Sequence, residues 1–562
     1  MNFVIGLIIT ILVFSLFFIY SKYKMNKFMK EEIDRRWGKF QSIKNSKVDF
    51  KYTKAYFENT KSCFHIDDIT WSDLDMDDIF KVMNNTMTSV GEEVLYNILR
   101  KPLFNEDELK KREKLIKFFE EKENIAKGIQ LKLWKLGKKK KLCISDYFYK
   151  DKEEVVNDNS KLRLVLYNIL SITPVLLTIL GIFSYNYFFA LMGLNIALNM
   201  YIHKKTKEKY ENRIEDYIYM ISLVNCAKDI YKLNYKNINE NYIHIEKTLR
   251  LLKGLEKSVF VNATNATSEA LAFNEIFNLF FLREVRTFER INKTLYNNMK
   301  DLESIYKYVG EIDSLIAVAS FRGAIEYYCI PNLTISSNKA ENKIDFKNIY
   351  HPLIENPVKN SLDINKCLLI TGSNASGKST FLRTIGINSI FAQTIYTAFA
   401  DEYSSSYFRL FTSMALKDDM FSNESYYMVE SKSLKRILDN VNEEIPVLCF
   451  IDEILRGTNT IERISASTEI LNHLSKENCI CIAATHDIEL TYILENSFYN
   501  CHFQEQIKDN NIIFDYKLYD GRSTTRNAIK ILSVIGYDED IVKRAESRAE
   551  FFLKNSYWEE IK

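Results

Sequence analysis

Long uncharged stretches and helix-periodic charged segments alternate in the first half of the chain. Residues 3–20 carry no charge and consist mainly of Ile, Leu, Phe and Val, and several lysines follow at once. About 18 helical residues rise ~27 Å, close to the thickness of a thin hydrocarbon core. No positive segment precedes the stretch and no small-residue cleavage site ends it, so a retained anchor over residues 1–21 is favoured over a cleaved signal peptide. The lysines predict that the following chain lies in the cytoplasm.

A second uncharged stretch, residues 164–202, is about twice as long as one span. Gly181 and a polar run lie near its middle, so the pattern predicts a transmembrane hairpin of two helices, over residues 164–181 and 185–202. Basic residues flank both ends, which places both ends in the cytoplasm and predicts a multi-pass protein of the cell membrane. A helical hairpin buried inside a large soluble domain is the alternative.

The other segments before residue 331 are charged and helix-periodic. In residues 22–163, a helix start signal at Thr70 precedes apolar residues at helical spacing, and Pro102 ends a second helical pattern. Residues 203–330 continue with long amphipathic repeats, for example over residues 279–308. The pattern predicts an all-α core with long helices that can act as levers. After residue 331, short apolar runs alternate with turns, which indicates a separate α/β domain over residues 331–562.

Composition sets wider limits. The 562 residues exceed one ordinary core, and the 46% hydrophobic and 27% charged residues are typical of globular protein. The 16 Gly and 6 Pro favour long helices with few breaks. Lys+Arg number 76 and Asp+Glu 74, so the net charge of +2 alone predicts no polyanionic partner. Cysteines without framework spacing indicate a reducing compartment, and Cys479 and Cys481 alternate in an apolar run that predicts a buried strand.

Residues 368–380 combine an apolar strand, a glycine loop and a helix start, and match the pattern G-x-x-x-x-G-K-[ST]. The backbone N–H groups of such a loop surround phosphates, and the helix N-terminus adds partial positive charge. Lys378 can reach the β- and γ-phosphates, and the hydroxyl of Ser379 can bind Mg²⁺. We therefore predict that ATP with Mg²⁺ binds at Gly372, Ser373, Asn374, Ala375, Ser376, Gly377, Lys378, Ser379 and Thr380.

Two further apolar strands end in polar residues. Asp452 and Glu453 follow the first of these strands, and paired carboxylates there are costly unless a cation balances them. We predict that Asp452 holds Mg²⁺ and that Glu453 orients or deprotonates the attacking water. His486 follows the second strand, where it can hydrogen-bond the γ-phosphate. Glu453, His486 and Lys378 are therefore the predicted catalytic residues.

These residues resemble the MutS family of ABC-type ATPases. In the C-terminal part, the resemblance covers the segment ahead of the P-loop (351–354), the signature region (410–430), the Walker B strand with the D-loop (452–460), the switch (484–486) and the closing strand with its helices (516–545). Upstream, it covers two parts of the helical core (88–102 and 309–315). It implies an α/β P-loop domain of the ABC type at the C-terminus, preceded by an all-α core. It also implies composite sites across a homodimer, in which Ser425 contacts the γ-phosphate bound to the partner subunit. An ordinary helix N-cap serine is the alternative for Ser425.

The resemblance does not extend to the mismatch-reading domain of MutS repair proteins, because an anchor and a short helical stretch lie in that place. Two functions stay open. The first is a membrane-anchored, MutS-like ATPase that binds DNA in mismatch repair or recombination. The second is a membrane-coupled, ATP-driven switch or signalling protein without DNA binding. Transport of lipid or solute is disfavoured, because the apolar segments carry no charged residue to line a path.

Overall fold

We describe the fold from a computed structural model of the chain. The structure describes residues 2–44, 46–61, 64–139, 144–149, 160–183, 187–233, 235, 238, 242, 244–252, 280–336, 338–373, 376–414, 426–441, 444–508, 511–523 and 528–561. The chain forms two compact units. One comprises Met1–Lys61, Met83–Asn97 and Lys114–Ala324, and the other comprises Ser62–Val82, Ile98–Glu113 and Ile325–Lys562.

Helices account for the regular structure as far as residue 322. They are α1 (Asn2–Arg36), α2 (Phe50–Thr53), α3 (Ala55–Asn59), α4 (Asp68–Asp73), α5 (Met76–Met83), α6 (Ser89–Arg100), α7 (Glu106–Glu121), α8 (Glu123–Leu136), α9 (Asp146–Tyr149), α10 (Ser160–Phe183), α11 (Tyr187–Tyr231), α12 (Ile245–Leu251), α13 (Arg283–Asn297) and α14 (Met299–Arg322). The predicted anchor forms the first part of α1, where the described side chains of Leu16, Phe17 and Ile19 are exposed.

A buried carboxylate organises the core of the first unit. Asp313 on α14 accepts hydrogen bonds from the backbone N–H groups of Met87 (3.0 Å) and Thr88 (2.8 Å) and from the Thr88 hydroxyl (2.6 Å). These donors lie at the start of α6, where helical N–H groups lack partners within the helix. A Cβ atom on Gly91 would lie 2.2 Å from the Asp313 carboxylate, so the close approach of the two helices requires glycine there.

The predicted hairpin corresponds to α10 and the start of α11, which pack along each other. Among the described residues, one segment, Leu162–Ile182, is long and apolar enough to cross a membrane; its mean hydropathy is 2.0 and 17% of it is buried. The first helix ends at Phe183 rather than at Gly181, and the polar run at residues 184–186 lies outside the described residues. The second predicted helix does not end near residue 202, because α11 runs for 45 residues in all, as far as Tyr231, and has no Gly or Pro after Gly193.

The second unit contains all the strands that the structure describes. They are β1 (Asn332–Thr334), β2 (Ile344–Ile349), β3 (Asn360–Ile364), β4 (Cys367–Thr371), β5 (Glu402–Ser406), β6 (Arg409–Ser413), β7 (Val447–Asp452), β8 (Cys479–Thr485), β9 (Phe498–Lys508) and β10 (Asn511–Asp520). The helices that follow β4 are α15 (Lys378–Thr394), α16 (Tyr426–Leu438), α17 (Thr460–Lys476), α18 (Ile488–Ile493), α19 (Ala528–Ile535) and α20 (Glu539–Asn555).

These strands form two sheets. The larger has the order β10-β9-β4-β8-β7-β6, and all its neighbouring pairs are parallel except β10 with β9. The smaller has the order β1-β5-β2-β3. Strands β4 and β8 are buried along their whole length, as expected for parallel strands covered on both faces. The carboxyl ends of β4, β8 and β7 therefore lie side by side at one edge, where parallel sheets bind ligands.

Two segments that precede the first strand belong to this second unit. Helix α4 packs on β6, and the carboxylate of Asp73 accepts hydrogen bonds from the Thr412 hydroxyl (2.6 Å) and the Met414 N–H (3.0 Å). The backbone carbonyl of Asp73 accepts a third hydrogen bond from Arg383 on α15 (2.9 Å). Helix α4 begins at Asp68 and is capped by Asp67, so the predicted start at Thr70 lies inside the helix.

Cysteines lie inside the larger sheet. Cys367, Cys449, Cys479 and Cys481 are buried and reduced, on the adjacent strands β4, β7 and β8. Within the described residues, no group of three His, Cys, Asp or Glu side chains is arranged to hold a metal ion. These thiols therefore act as small apolar core residues.

Candidate functional site

The loop between β4 and α15 turns on two glycines. Gly372 has a φ of 148° and Gly377, the N-cap of α15, has a φ of 105°, a backbone region that other residues rarely adopt. A Cβ atom on Gly372 would lie 2.8 Å from the Phe503 carbonyl oxygen and 2.9 Å from the Ser376 hydroxyl. Both glycines are therefore needed for the backbone to curve around an anion at the helix N-terminus.

The predicted loop residues differ in environment. The Ser373 hydroxyl donates to Glu505 on β9 at 2.8 Å, which fixes the start of the loop to the neighbouring strand. The Ser376 hydroxyl is buried and has no hydrogen-bond partner in the part of the chain that the structure describes. A buried polar atom without a partner is costly, so a phosphate oxygen would satisfy it. Asn374 and Ala375 lie outside the described residues.

The side chain of Lys378 is buried under the loop. Its ammonium group donates to the carbonyl oxygens of Gly372 (2.7 Å) and Ser373 (2.9 Å). Burial lowers the pKa of Lys378 below its usual value, although the nearby carboxylates of Asp452, Glu453 and Glu505 act in the opposite direction. The ammonium group of Lys378 has therefore lost part of its hydration, and a phosphate bound in the loop would stabilise its charge.

Ser379 and Asp452 meet across the site. The Ser379 hydroxyl donates to Asp452 Oδ2 at 2.5 Å. Burial raises the pKa of Asp452, although this hydrogen bond favours the ionised form. A hydroxyl and a half-buried carboxylate are the oxygen ligands that Mg²⁺ uses beside phosphates, so this pair suits that ion.

Glu453 is held from two sides. Its Oε1 lies 3.0 Å from His486 Nε2, and its Oε2 accepts a hydrogen bond from the Arg456 guanidinium at 2.5 Å. Because a carboxylate only accepts, the imidazole Nε2 donates to Glu453. Lys378 Nζ lies 3.4 Å from the same imidazole nitrogen, which then has no lone pair left to accept from it. Lys378, His486 and Glu453 therefore form a compact group above the sheet edge.

Burial alone would raise the pKa of Glu453. The hydrogen bond and charge of Arg456, together with His486, outweigh burial and bring the pKa below its ordinary value. Glu453 also has a φ of 56°, a left-handed conformation that is uncommon outside glycine. The turn after β7 thus directs an ionised carboxylate toward His486.

Several contacts were not anticipated from the sequence. Arg456 was noted only as part of a motif, although it binds Glu453 directly. Arg463 on α17 forms two hydrogen bonds with Asp487 (2.8 and 2.6 Å), which secures the residue after His486. Glu430 on α16 accepts a hydrogen bond from the Arg456 N–H at 3.4 Å. An arginine three residues after the paired carboxylates is the sequence signal that could have identified Arg456.

A cavity of about 370 Å³ lies beside the loop and has mainly apolar and aromatic walls, formed by Ile349, His351, Ile354, Pro357, Val358, Phe381, Phe503 and Tyr516. A second cavity of about 270 Å³ includes Lys378, Ser379 and Glu453. Both cavities are lined by Gly377, Thr380 and Tyr516, so they adjoin. A flat apolar compartment thus adjoins a polar one.

The half-buried His351 contributes a polar ring to the wall of the apolar compartment. Burial, and then the charge of Arg383, lower the pKa of His351 to about 4, so the imidazole is neutral at pH 7. Its Nδ1 accepts a hydrogen bond from the Leu353 N–H at 3.2 Å. The neutral ring therefore carries its proton on Nε2, which makes Nε2 a donor.

The predicted partner-contacting Ser425 lies outside the described residues, and α16 begins at the next residue, Tyr426. The other predicted site residues converge from β4, β7 and β8 onto one edge of the sheet. A strand, glycine loop and helix beside a carboxylate-tipped parallel strand define a P-loop nucleotide-binding α/β domain.

Residues 368–552 match the family model MutS domain V, which is a P-loop ATPase-type α/β domain. The DNA mismatch repair protein MutS of Pseudothermotoga lettingae is 28% identical over 346 residues, covering 58% of this chain and 42% of that protein. MutS of Prochlorococcus marinus is 31% identical over 281 residues (47% and 30%). MutS of Clostridioides difficile is 26% identical over 385 residues (66% and 36%).

The chain is similar to the MutS family, as the resemblance in its sequence predicted, and residues 368–552 match MutS domain V. It spans less than half the length of these curated relatives.

Proposed function

We propose that this chain is a membrane-anchored, MutS-like ATPase of the ABC type that binds ATP with Mg²⁺ and hydrolyses it. The observation that carries the proposal is the convergence of Lys378, the pair Ser379 and Asp452, and the pair Glu453 and His486 at one sheet edge. Domain V in its relatives supports the same activity.

The loop and Lys378 bind the phosphates. The ammonium group exchanges its two backbone acceptors for phosphate oxygens, and the Ser376 hydroxyl gains the partner that it lacks. The apolar cavity binds the adenine base of ATP. Its volume of about 370 Å³ suits a purine, and the His351 Nε2–H offers a donor to a ring nitrogen.

Ser379 and Asp452 would hold the Mg²⁺ ion. Magnesium, when bound, neutralises charge on the phosphate oxygens. Glu453 orients the attacking water and accepts its proton, because Arg456 and His486 keep the carboxylate ionised. His486 lies between Glu453 and Lys378, which suits a hydrogen bond to the γ-phosphate.

We propose a homodimer with composite sites, in which Ser425 contacts the nucleotide bound to the partner. Family resemblance supports this, and helix α16 starts at the next residue, which places Ser425 at a helix N-terminus, where an anion is favoured. The lipid bilayer is a second proposed partner. The exposed apolar surface of α10 supports insertion at the cell membrane, multi-pass, with the ATPase domain in the cytoplasm.

DNA is the proposed third partner, in mismatch repair or recombination. The curated relatives are named DNA mismatch repair proteins, which supports this choice. A membrane-coupled, ATP-driven switch or signalling protein without DNA binding is the second candidate, and the apolar helix α10 favours it.

Phosphate release by the detergent-purified full chain tests the ATPase. We expect Lys378→Ala to abolish nucleotide binding, since the phosphates lose the cation that lies against the loop carbonyls. We expect Glu453→Gln to keep binding and to lower kcat by about 10²-fold or more, because the water loses its base. Normal turnover by Glu453→Gln would remove Glu453 from its proposed role.

The DNA proposal is tested by the same assay with duplex, mismatched and branched DNA. We expect stimulation that falls steeply with salt, because phosphate contacts release counterions. Stimulation by lipid vesicles with no response to any DNA would favour the membrane-coupled switch instead.

A further inference from the structure

The hairpin of α10 and α11 carries an apolar surface that no described residue covers. Leu162 is 71% exposed, Ile172 is 56% exposed and Leu194 is 68% exposed. Exposed apolar residues recur along both helices, and large contiguous apolar surfaces of this kind mark sites of association.

Polar contacts mark the base of this surface. The Asn199 amide donates to the carbonyl oxygens of Leu170 (3.2 Å) and Phe280 (2.8 Å). The Arg286 guanidinium donates to the Asn168 side chain at 3.3 Å. The start of α13 therefore packs beside Asn168 and Leu170 of α10, so one side of the hairpin is polar at this level, although Leu162 and Val165 stay exposed.

Basic residues lie around this base of the apolar surface. Arg283, Arg286 and Arg290 lie on α13, and burial followed by the charges of its two neighbours lowers the pKa of Arg286. The Nε atom of Arg286 is buried without a hydrogen-bond partner among the described residues. Lys204 and Lys205 are exposed on α11, one to two turns beyond Asn199.

Arg163 on α10 completes the group, and its Nε lies 3.7 Å from the buried carboxylate of Glu289. Six cations, at Arg163, Lys204, Lys205, Arg283, Arg286 and Arg290, thus lie on α10, α11 and α13. We call these six cations the cationic collar. Mutual repulsion and a buried donor without a partner are relieved when an anion binds among them.

We propose that the cationic collar binds the phosphate groups of anionic lipids in the bilayer that the hairpin enters. The proposal rests on the proposed membrane insertion. Guanidinium groups bind phosphate through paired N–H donors, and a collar at the border of an apolar surface meets headgroups at their own depth. Nucleic acid is a poorer fit, because the adjoining apolar surface has no counterpart on a duplex.

The test uses the full chain in neutral detergent micelles that contain either phosphatidylglycerol or phosphatidylcholine, and measures the midpoint of thermal unfolding. We expect phosphatidylglycerol, and not phosphatidylcholine or inorganic phosphate, to raise the midpoint. The triple variant Arg283→Gln, Arg286→Gln, Arg290→Gln should need at least about tenfold more phosphatidylglycerol for the same rise, since each basic residue contributes to binding.

The matched control removes three exposed cations from α20, as Lys543→Gln, Arg544→Gln, Lys554→Gln. It should respond to phosphatidylglycerol like the parent. Because Arg286 is partly buried, the double variant Lys204→Glu, Lys205→Glu repeats the test at exposed positions only and should also weaken the response. An undiminished response in both collar variants would overturn the proposal.

Flotation with neutral phosphatidylcholine vesicles distinguishes a failure of the cationic collar from a failure of membrane insertion. A parent chain that floats but shows no preference for phosphatidylglycerol refutes the collar alone. A parent chain that stays in solution without detergent and never floats refutes membrane insertion, and the collar with it. Loss of duplex DNA binding in the collar variants, with an unchanged lipid response, would also refute the lipid assignment.

Discussion

Glu453 must remain ionised although the neighbouring Asp452 also needs a negative charge. Two carboxylates on adjacent residues repel, and burial disfavours both charges. Arg456 offsets this by placing a guanidinium on the outer oxygen of Glu453, while His486 holds the other oxygen. Arg456 therefore holds and charges the carboxylate of Glu453, which makes it a positioning residue for the proposed base.

Replacing Arg456 tests this role. The variant Arg456→Gln removes the charge that lowers the pKa of Glu453, so that pKa should rise. Since the role proposed for Glu453 requires its deprotonated form, the acidic limb of the kcat profile should move to higher pH, and the activity loss should be larger at pH 6 than at pH 8. Steady-state rates across pH measure the shift.

Lys476→Gln is the control, because it removes an exposed cation from the far end of α17. It should leave the pH profile in place. An Arg456→Gln profile that falls equally at every pH would mean that Arg456 acts only through folding or binding.

A second carboxylate is buried in the core of the first unit. Burial raises the pKa of Glu93 to about 8, although hydrogen bonds from Tyr306 and Ser145 favour the ionised form. The unfolded value is about 4.5, so the folded state binds the proton more tightly. Stability is therefore fully present below pH 4.5 and is lost as pH rises toward 8, at about 1.4 kcal/mol per unit.

The variant Glu93→Gln has no proton to lose and should abolish this decline. Hydrogen exchange of the α6 amides measures the free energy of opening. This free energy should be larger in the Glu93→Gln variant than in the parent chain at pH 8, and similar in the two at low pH. Glu92→Gln is the matched neighbour, because Lys138 outweighs burial and lowers the pKa of Glu92. It should not improve alkaline stability; equal behaviour of both variants would contradict the assignment.

Motif residues could be predicted because their chemistry is local. The loop residues and the pair Asp452 and Glu453 each occupy one short segment, and their spacing alone indicates phosphate and Mg²⁺ binding. The contact of Ser373 with Glu505 could not be predicted, since 132 residues separate the two. The apolar cavity proposed for the adenine base could not be predicted either, because it is lined by several segments between Ile349 and Tyr516.

At the scale of elements, α4 is the piece whose position the sequence did not reveal. It lies amid helices in the chain, yet Asp73 ties it to the end of β6 in the α/β unit. Removing the Asp73 carboxylate would leave the Thr412 hydroxyl and the Met414 N–H without their acceptor. Together with the hydrogen bond from the Thr412 N–H to the Thr70 hydroxyl (3.2 Å), this contact attaches α4 to β6.

We expect Asp73→Ala to lower the free energy of unfolding by about 2 to 4 kcal/mol, because two buried donors lose their partner. Urea denaturation of the full chain in detergent measures the change. Asp78→Ala, which removes a half-exposed pair with Lys81, should change it by about 1 kcal/mol or less. Similar losses in both variants would refute the special role of Asp73.

Helix boundaries followed the sequence only where a breaker was present. Pro102 ends the pattern that becomes α6, as predicted. The predicted helix over residues 279–308 is instead interrupted at Asn298, where the side-chain amide donates to the Thr294 carbonyl at 2.7 Å and competes with helical hydrogen bonding. Such competition depends on the side-chain conformation, which periodicity does not report.

At the scale of the whole molecule, the chain joins a MutS domain V to a helical unit with an exposed apolar hairpin. The sequence indicated both features, since hydropathy and the glycine loop are local signals. It placed the boundary near residue 331 from the change in pattern, but two upstream segments also belong to the α/β unit. Sequence order alone does not show which helices complete another domain.

The central claim is that the loop, the carboxylates and His486 form one site for ATP with Mg²⁺. Isothermal titration calorimetry of ATP and Mg²⁺ into the full-length Glu453→Gln variant tests it most directly, because turnover is blocked and only binding gives heat. We predict saturable binding to one site per chain, and none in a Lys378→Ala variant of the same helical content. No heat with Glu453→Gln, or equal heat with both folded variants, would contradict the account.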